Sequence, residues 1–207
     1  LWGGLYDAVN FNTHSYDNLF DYHNPKFIIR NLPFFLSFFA FYLTPFFLIE
    51  IKSIGLVKIF KKYFPSFITA VLIMFFFYTF NFLDYIKNID VGGGIILKLN
   101  YILFKKNLIF FILFVAFGFS LLYEILKQNI KFNIVLLLPL LIFCLPVIIL
   151  QEYYEPLILF LTFLMFKHNY NFIFDKKINF SIFLVVFYYA TYLVGSIYYR
   201  YFLFISA

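Results

Sequence analysis

The sequence predicts an all-α protein, a polytopic bundle of about five to six transmembrane helices, and two observations carry that prediction. Of 207 residues, 64% are hydrophobic and only 13% are charged, against about 25% charged residues in a soluble domain. The apolar residues also come in runs close to the roughly 20 residues that a helix needs to cross a bilayer. A water-soluble fold of this length could not cover so much apolar surface.

The runs can be taken in order. Leu32–Ile51 is the first expected span, with Pro33 in its first turn and Pro45 expected to kink or end it. Pro65–Leu83 is the second, Asn107–Leu126 the third and Asn133–Leu150 the fourth. Pro156–Phe166 is short for a full crossing. It is expected to be tilted into protein, extended backwards through Tyr153 and Tyr154, or re-entrant. Phe180–Tyr199 is the last. Ile95–Phe104 is too short to span and reads as an interfacial or re-entrant piece. The domain reading is a polar segment over residues 1–31 facing outward, then a helical membrane domain over 32–207 with an outward interfacial segment at 84–107. The first residue is Leu and the opening sequence is polar, so the chain is expected to be the C-terminal part of a longer protein.

Positive charge orients the spans. With the N-terminal segment outside, the inner loops hold Lys52, Lys58, Lys61, Lys62, Lys127, Lys131, Lys167, Lys176 and Lys177, nine of the 16 Lys and Arg. Seven of the ten acidic residues fall outside: Asp7, Asp17, Asp21, Asp84, Asp90, Glu152 and Glu155. The formal charge of +6 is thus read as a membrane-orientation signal, and nucleic acid is not an expected partner. The single cysteine, Cys144, excludes a disulfide within these residues and a multi-cysteine metal site.

Three polar segments share the outer side in this topology. The first carries Trp2, Asp7, His14, Asp17, Asp21 and His23. The histidines are either ordinary loop residues or metal ligands with Asp17 or Asp21, and their spacing is not helical, so no metal site is expected. The second contains "DVGGGIILKLN", residues 90–100. Gly92–Gly94 either cradles a phosphate with backbone N–H groups or forms a turn before a short helix. In the helical case Lys98 follows Gly94 by one turn and can pair with a phosphate. The third is "QEYYE", Gln151–Glu155. Glu152 and Glu155 are three apart and share a helical face. They either divide acid and base work or end a span in water, with Tyr153 and Tyr154 as an interfacial aromatic pair.

Two of these segments carry a family resemblance. "WGGLYDAVNFNTH", Trp2–His14, resembles the glycine-pair, acidic and histidine segment of the alpha-1,2-glucosyltransferases that use dolichyl-phosphate glucose. "LPVIILQEYYEPLILF", Leu145–Phe160, is similar to that family's proline followed by Leu-Leu-Glu-x-Arg-Tyr. Without gaps Pro146 matches the proline, Gln151 the glutamate, Tyr153 the arginine and Tyr154 the tyrosine; Glu152 matches the glutamate only after a one-residue shift. The chain also resembles bacterial multi-span proteins of the same GT-C class with a GGG…K-L segment and a Tyr-Tyr-acidic-Pro segment. The resemblance implies the C-terminal part of a GT-C-like fold. It implies transfer of a sugar from a polyprenyl-phosphate donor, at the extracytoplasmic face, to a glycan or lipid-linked acceptor. It implies a main catalytic carboxylate in a preceding N-terminal part, so that these residues alone are inactive. Trp2, His14, Lys98, Gln151, Glu152, Tyr154 and Glu155 are then the substrate-binding candidates, with no cofactor. Location in a bacterial inner membrane is favoured over the endoplasmic reticulum. The alternatives are a transporter or flippase, which would place ionisable groups in mid-span, and a structural multi-span protein.

Overall fold

The computed structural model describes residues 26–79, 94–104, 107–142, 144, 151–167 and 178–198. Helix is the only regular structure among them. In chain order the helices are α1 (Lys26–Ile54), α2 (Leu56–Thr79), α3 (Gly94–Phe104), α4 (Ile109–Gln128), α5 (Ile130–Asn133), α6 (Leu137–Ile142), α7 (Gln151–Phe160) and α8 (Ile178–Tyr198). A π-helical turn, Leu161–Met165, continues α7 and closes with Phe166 N–H on the Leu161 carbonyl at 2.7 Å. Among the described residues three helices are long and apolar enough to cross a membrane, over Asn31–Ile54, Leu56–Tyr78 and Ile109–Gln128. Shorter apolar stretches lie at Gly94–Phe104, Ile130–Leu140, Tyr154–Met165 and Phe180–Gly195.

The helix boundaries differ from the sequence expectation in instructive places. α1 begins well before Pro33 and runs on past Pro45 to Ile54. Its end is set by Gly55, whose φ of 87° is the left-handed conformation that closes helices at glycine. Gly55 N–H still bonds the Ile51 carbonyl at 2.9 Å. α2 starts at Leu56, more than two turns before Pro65, which lies inside it. The expected fourth span is not one continuous helix in its described part. A turn over residues 134–136 separates α5 from α6. Pro139 is the third residue of α6, in the first turn, where a missing N–H costs least. The expected short piece at Pro156–Phe166 starts earlier, at Gln151, so Pro156 sits inside α7 and does not open it.

The described chain divides into two compact units. One holds α1 up to Tyr42 and the described residues from Tyr63 to Lys167; the other holds Leu43–Lys62 and α8. In the first unit the core is aromatic: Phe34, Phe35, Phe38, Phe39, Tyr42 and Phe111 are almost fully buried. α1 and α4 pack in the same direction, since Phe34 meets Phe111 with ring centroids 5.8 Å apart and Gly118 lies against Leu36 and Ala40. The Gly118 position is backed by the Leu36 backbone carbonyl with no room for a side chain. Small residues of this kind let membrane helices approach closely.

Buried amides tie the rest of this unit together. Asn31 donates to the Cys144 carbonyl at 2.8 Å. Asn100 accepts from Phe111 N–H at 3.1 Å and donates to the Asn107 carbonyl at 2.9 Å. Asn107 in turn accepts from Ile109 N–H at 3.0 Å. First-turn donors of α4, which have no partner within the helix, are thereby satisfied. Asn133, fully buried, donates to the carbonyls of Ile125 and Lys167 and accepts from Lys167 N–H at 2.9 Å. In the second unit, Glu50 and Lys62 form a 2.6 Å ion pair across the Gly55 turn, and Lys52 Nζ lies 3.2 Å over the Phe180 ring.

Candidate functional site

The site grows from the helical phase of α7. Residues at i, i+3, i+4 and i+7 share a face, and here they are Gln151, Tyr154, Glu155 and Ile158. Gln151, Tyr154 and Ile158 are buried and Glu155 is half-buried. This face meets α1 and the start of α3. Gln151 Oε1 accepts from Ile95 N–H at 2.8 Å, satisfying one of the orphan donors at the α3 N-terminus. Gln151 Nε2 donates to Tyr42 Oη at 2.8 Å. Tyr42 Oη donates to Glu155 Oε2 at 3.4 Å. A hydrogen-bonded chain thus runs from the α3 backbone through Gln151 and Tyr42 to the Glu155 carboxylate.

Gly94 allows the close approach. Its φ is 75°, and a Cβ there would overlap the Phe38 ring and lie 2.7 Å from Gln151 Oε1. Gly94, the last of the three glycines, is therefore a seat for Gln151. Ile95 N–H is committed to that amide and is not offered to a phosphate. Gly94 opens the short helix α3, Gly92 and Gly93 lie outside the described residues, and Lys98 stands one turn further along α3 on an exposed position.

The structure treats the expected site residues differently. Gln151, Tyr154 and Glu155 come together beside α1. Tyr154 is 2% exposed and packs on Phe35 and Phe38 with centroids 6.1 and 5.5 Å away. Its ring is part of the aromatic core. Gln151 has both ends of its amide engaged within the protein, so it positions its neighbours. Glu152 lies in the first turn of α7, but its side chain, like Trp2, His14, His23, Asp17, Asp21 and residues 84–93, falls outside the described residues. Among the described residues no cluster of three His, Cys, Asp or Glu side chains forms.

The depth of the site is also a finding. Tyr42 follows Phe34 by eight residues, roughly 12 Å along α1 at about 1.5 Å per residue. Phe34 is the α1 residue that meets the beginning of α4. Through its bond to Tyr42, Glu155 lies partway along α1, beyond the level at which Phe34 meets Phe111. Sequence reasoning missed Tyr42 altogether. The signal was present: a hydroxyl in the run "FFLSFFAFYLTPFFL" needs a hydrogen-bond partner once it is buried.

Comparison with known protein families, with curated proteins and with solved structures found no match to this chain.

Proposed function

We propose that the chain is part of a multi-pass membrane glycosyltransferase of GT-C type. In this reading it takes a sugar from a polyprenyl-phosphate donor at the extracytoplasmic face of a bacterial inner membrane, and the described helices belong to a five- to six-span arrangement. The observation that carries the reading is the joining of two polar segments far apart in sequence: Ile95 N–H meets Gln151 Oε1 at 2.8 Å, beside Glu155. Glu155 binds an acceptor hydroxyl, held in place by Tyr42 and Gln151. Lys98, at an exposed position on α3, offsets charge on the departing lipid phosphate. The test is sugar transfer from polyprenyl-phosphate donors by the full-length protein in membranes. Glu155→Gln is expected to lower the rate at least ~10-fold through its effect on the transition state. Lys98→Gln is expected to raise KM for the donor. Unchanged transfer by Glu155→Gln removes the carboxylate from the reaction, and absence of transfer by the wild type from every such donor sinks the reading.

A second reading draws on the depth of Glu155. Ionisable groups recessed among membrane helices mark solute pathways as well as active sites, which favours a transporter or flippase for a lipid-linked solute. Vesicle flux of the lipid-linked sugar without any transfer, abolished by Glu155→Gln, would select this reading over the enzyme.

A further inference from the structure

The first turns of α2 have three distinct faces. At about 100° per residue, Leu56, Val57, Phe60 and Phe64 fall on one arc of roughly 100°, and all four are exposed. Lys58, Lys61 and Lys62 fall on the next arc of similar width. Ile59, Tyr63 and Ser66 take the remainder and are buried. Of the three lysines, Lys62 is engaged with Glu50 at 2.6 Å, while Lys58 and Lys61 are exposed.

Length places this surface. From Lys62 to Thr79, the end of α2, the helix rises about 25 Å at roughly 1.5 Å per residue, most of a hydrocarbon core of about 30 Å. Leu56–Lys62 is then left for the headgroup layer. There, the apolar arc can enter the acyl boundary while the neighbouring basic arc meets headgroups, the arrangement of an interfacial amphipathic segment. Among the described residues of this unit the acid Glu50 is paired with Lys62, which leaves Lys58 and Lys61 as exposed positive charges on this arc.

We infer that the start of α2 is a binding surface for anionic phospholipid, with Leu56, Val57 and Phe60 seated among acyl chains and Lys58 and Lys61 holding the phosphate-bearing headgroups. The inference is independent of the proposed transferase activity. It is tested with the full chain in nanodiscs of mixed phosphatidylglycerol and phosphatidylcholine, by mass spectrometry of the lipid retained after detergent extraction. The wild type is expected to enrich phosphatidylglycerol several-fold, and raising salt from about 0.05 to 0.5 M is expected to erase most of that enrichment. Lys58→Gln with Lys61→Gln is expected to lose it at low salt, Lys58→Arg with Lys61→Arg to keep it, and Lys127→Gln, which removes a lysine paired with Glu124, to leave it unchanged. Equal retention of both lipids by the wild type, salt-insensitive enrichment, or equal loss in the Lys127→Gln control overturns the inference. The salt series on the wild type decides the matter even where the glutamine variant does not fold.

Discussion

Gly94 and Gln151 form a matched pair: one gives up its side chain so that the other can reach a backbone donor. Gly94→Ala places a methyl group into the Phe38 ring and against Gln151 Oε1, at a φ that L-residues rarely adopt. Overpacking and backbone strain together are expected to cost about 2–4 kcal/mol. The readout is the unfolding midpoint in detergent, with Gly195→Ala as control, since nothing lies within 4 Å of a Cβ there. The control is expected to be neutral or slightly stabilised, because alanine is the better helix former. A Gly94→Ala midpoint equal to the control would dismiss the seat. At this scale the sequence was partly legible. The polarity of "QEYYE" pointed to a segment whose buried face meets α1 and α3, and α-helical spacing joined Glu152 to Glu155. Which residues face the protein depends on the phase of α7 against α1. That phase selects Gln151, Tyr154 and Glu155, and sequence spacing alone does not supply it.

The helices themselves were legible where the apolar run was long and poorly so where proline entered. Pro33, Pro45 and Pro65 all lie within helices, because the remaining ladder and the packing of the apolar residues outweigh one missing donor. In the expected fourth span a turn over residues 134–136 separates α5 from α6, and the buried Asn133 stands at its start. Asn133 makes three hydrogen bonds to backbone groups, joining the end of α4 to the segment after the π-helical turn. Leucine fits the volume but offers none of these bonds. Asn133→Leu is expected to cost about 1–2 kcal/mol, given the modest net worth of interhelical amides in membranes. Amide exchange at Lys167 is expected to accelerate while exchange at Ile95 stays as in the wild type. Unaltered protection at Lys167 would show that the turn is held by packing alone.

For the molecule as a whole, the testable quantity is which side of the bilayer each end of the first unit reaches. α4 has 20 residues, roughly 30 Å of helix, enough to cross the hydrocarbon core. Asn100 binds its first turn through Phe111 N–H, which ties α3 and Lys98 to one end. Asn133 binds Ile125 and Lys167, which ties Lys167 to the other, with Lys127 in the last turn of α4. Charge asymmetry in the sequence assigns Lys127 and Lys167 to the inner side and Lys98 to the outer. The same-direction packing of α1 and α4 agrees with the parity of that assignment. Single cysteines at Lys98, Lys127 and Lys167, in a Cys144→Ala background, are expected to react with a membrane-impermeant maleimide from opposite sides. Lys98→Cys should label in intact spheroplasts, and Lys127→Cys and Lys167→Cys only after permeabilisation. Labelling of Lys98 and Lys167 from the same side would mean that α4 does not cross. Both the transferase and the transporter readings would then lose the membrane boundary on which they depend.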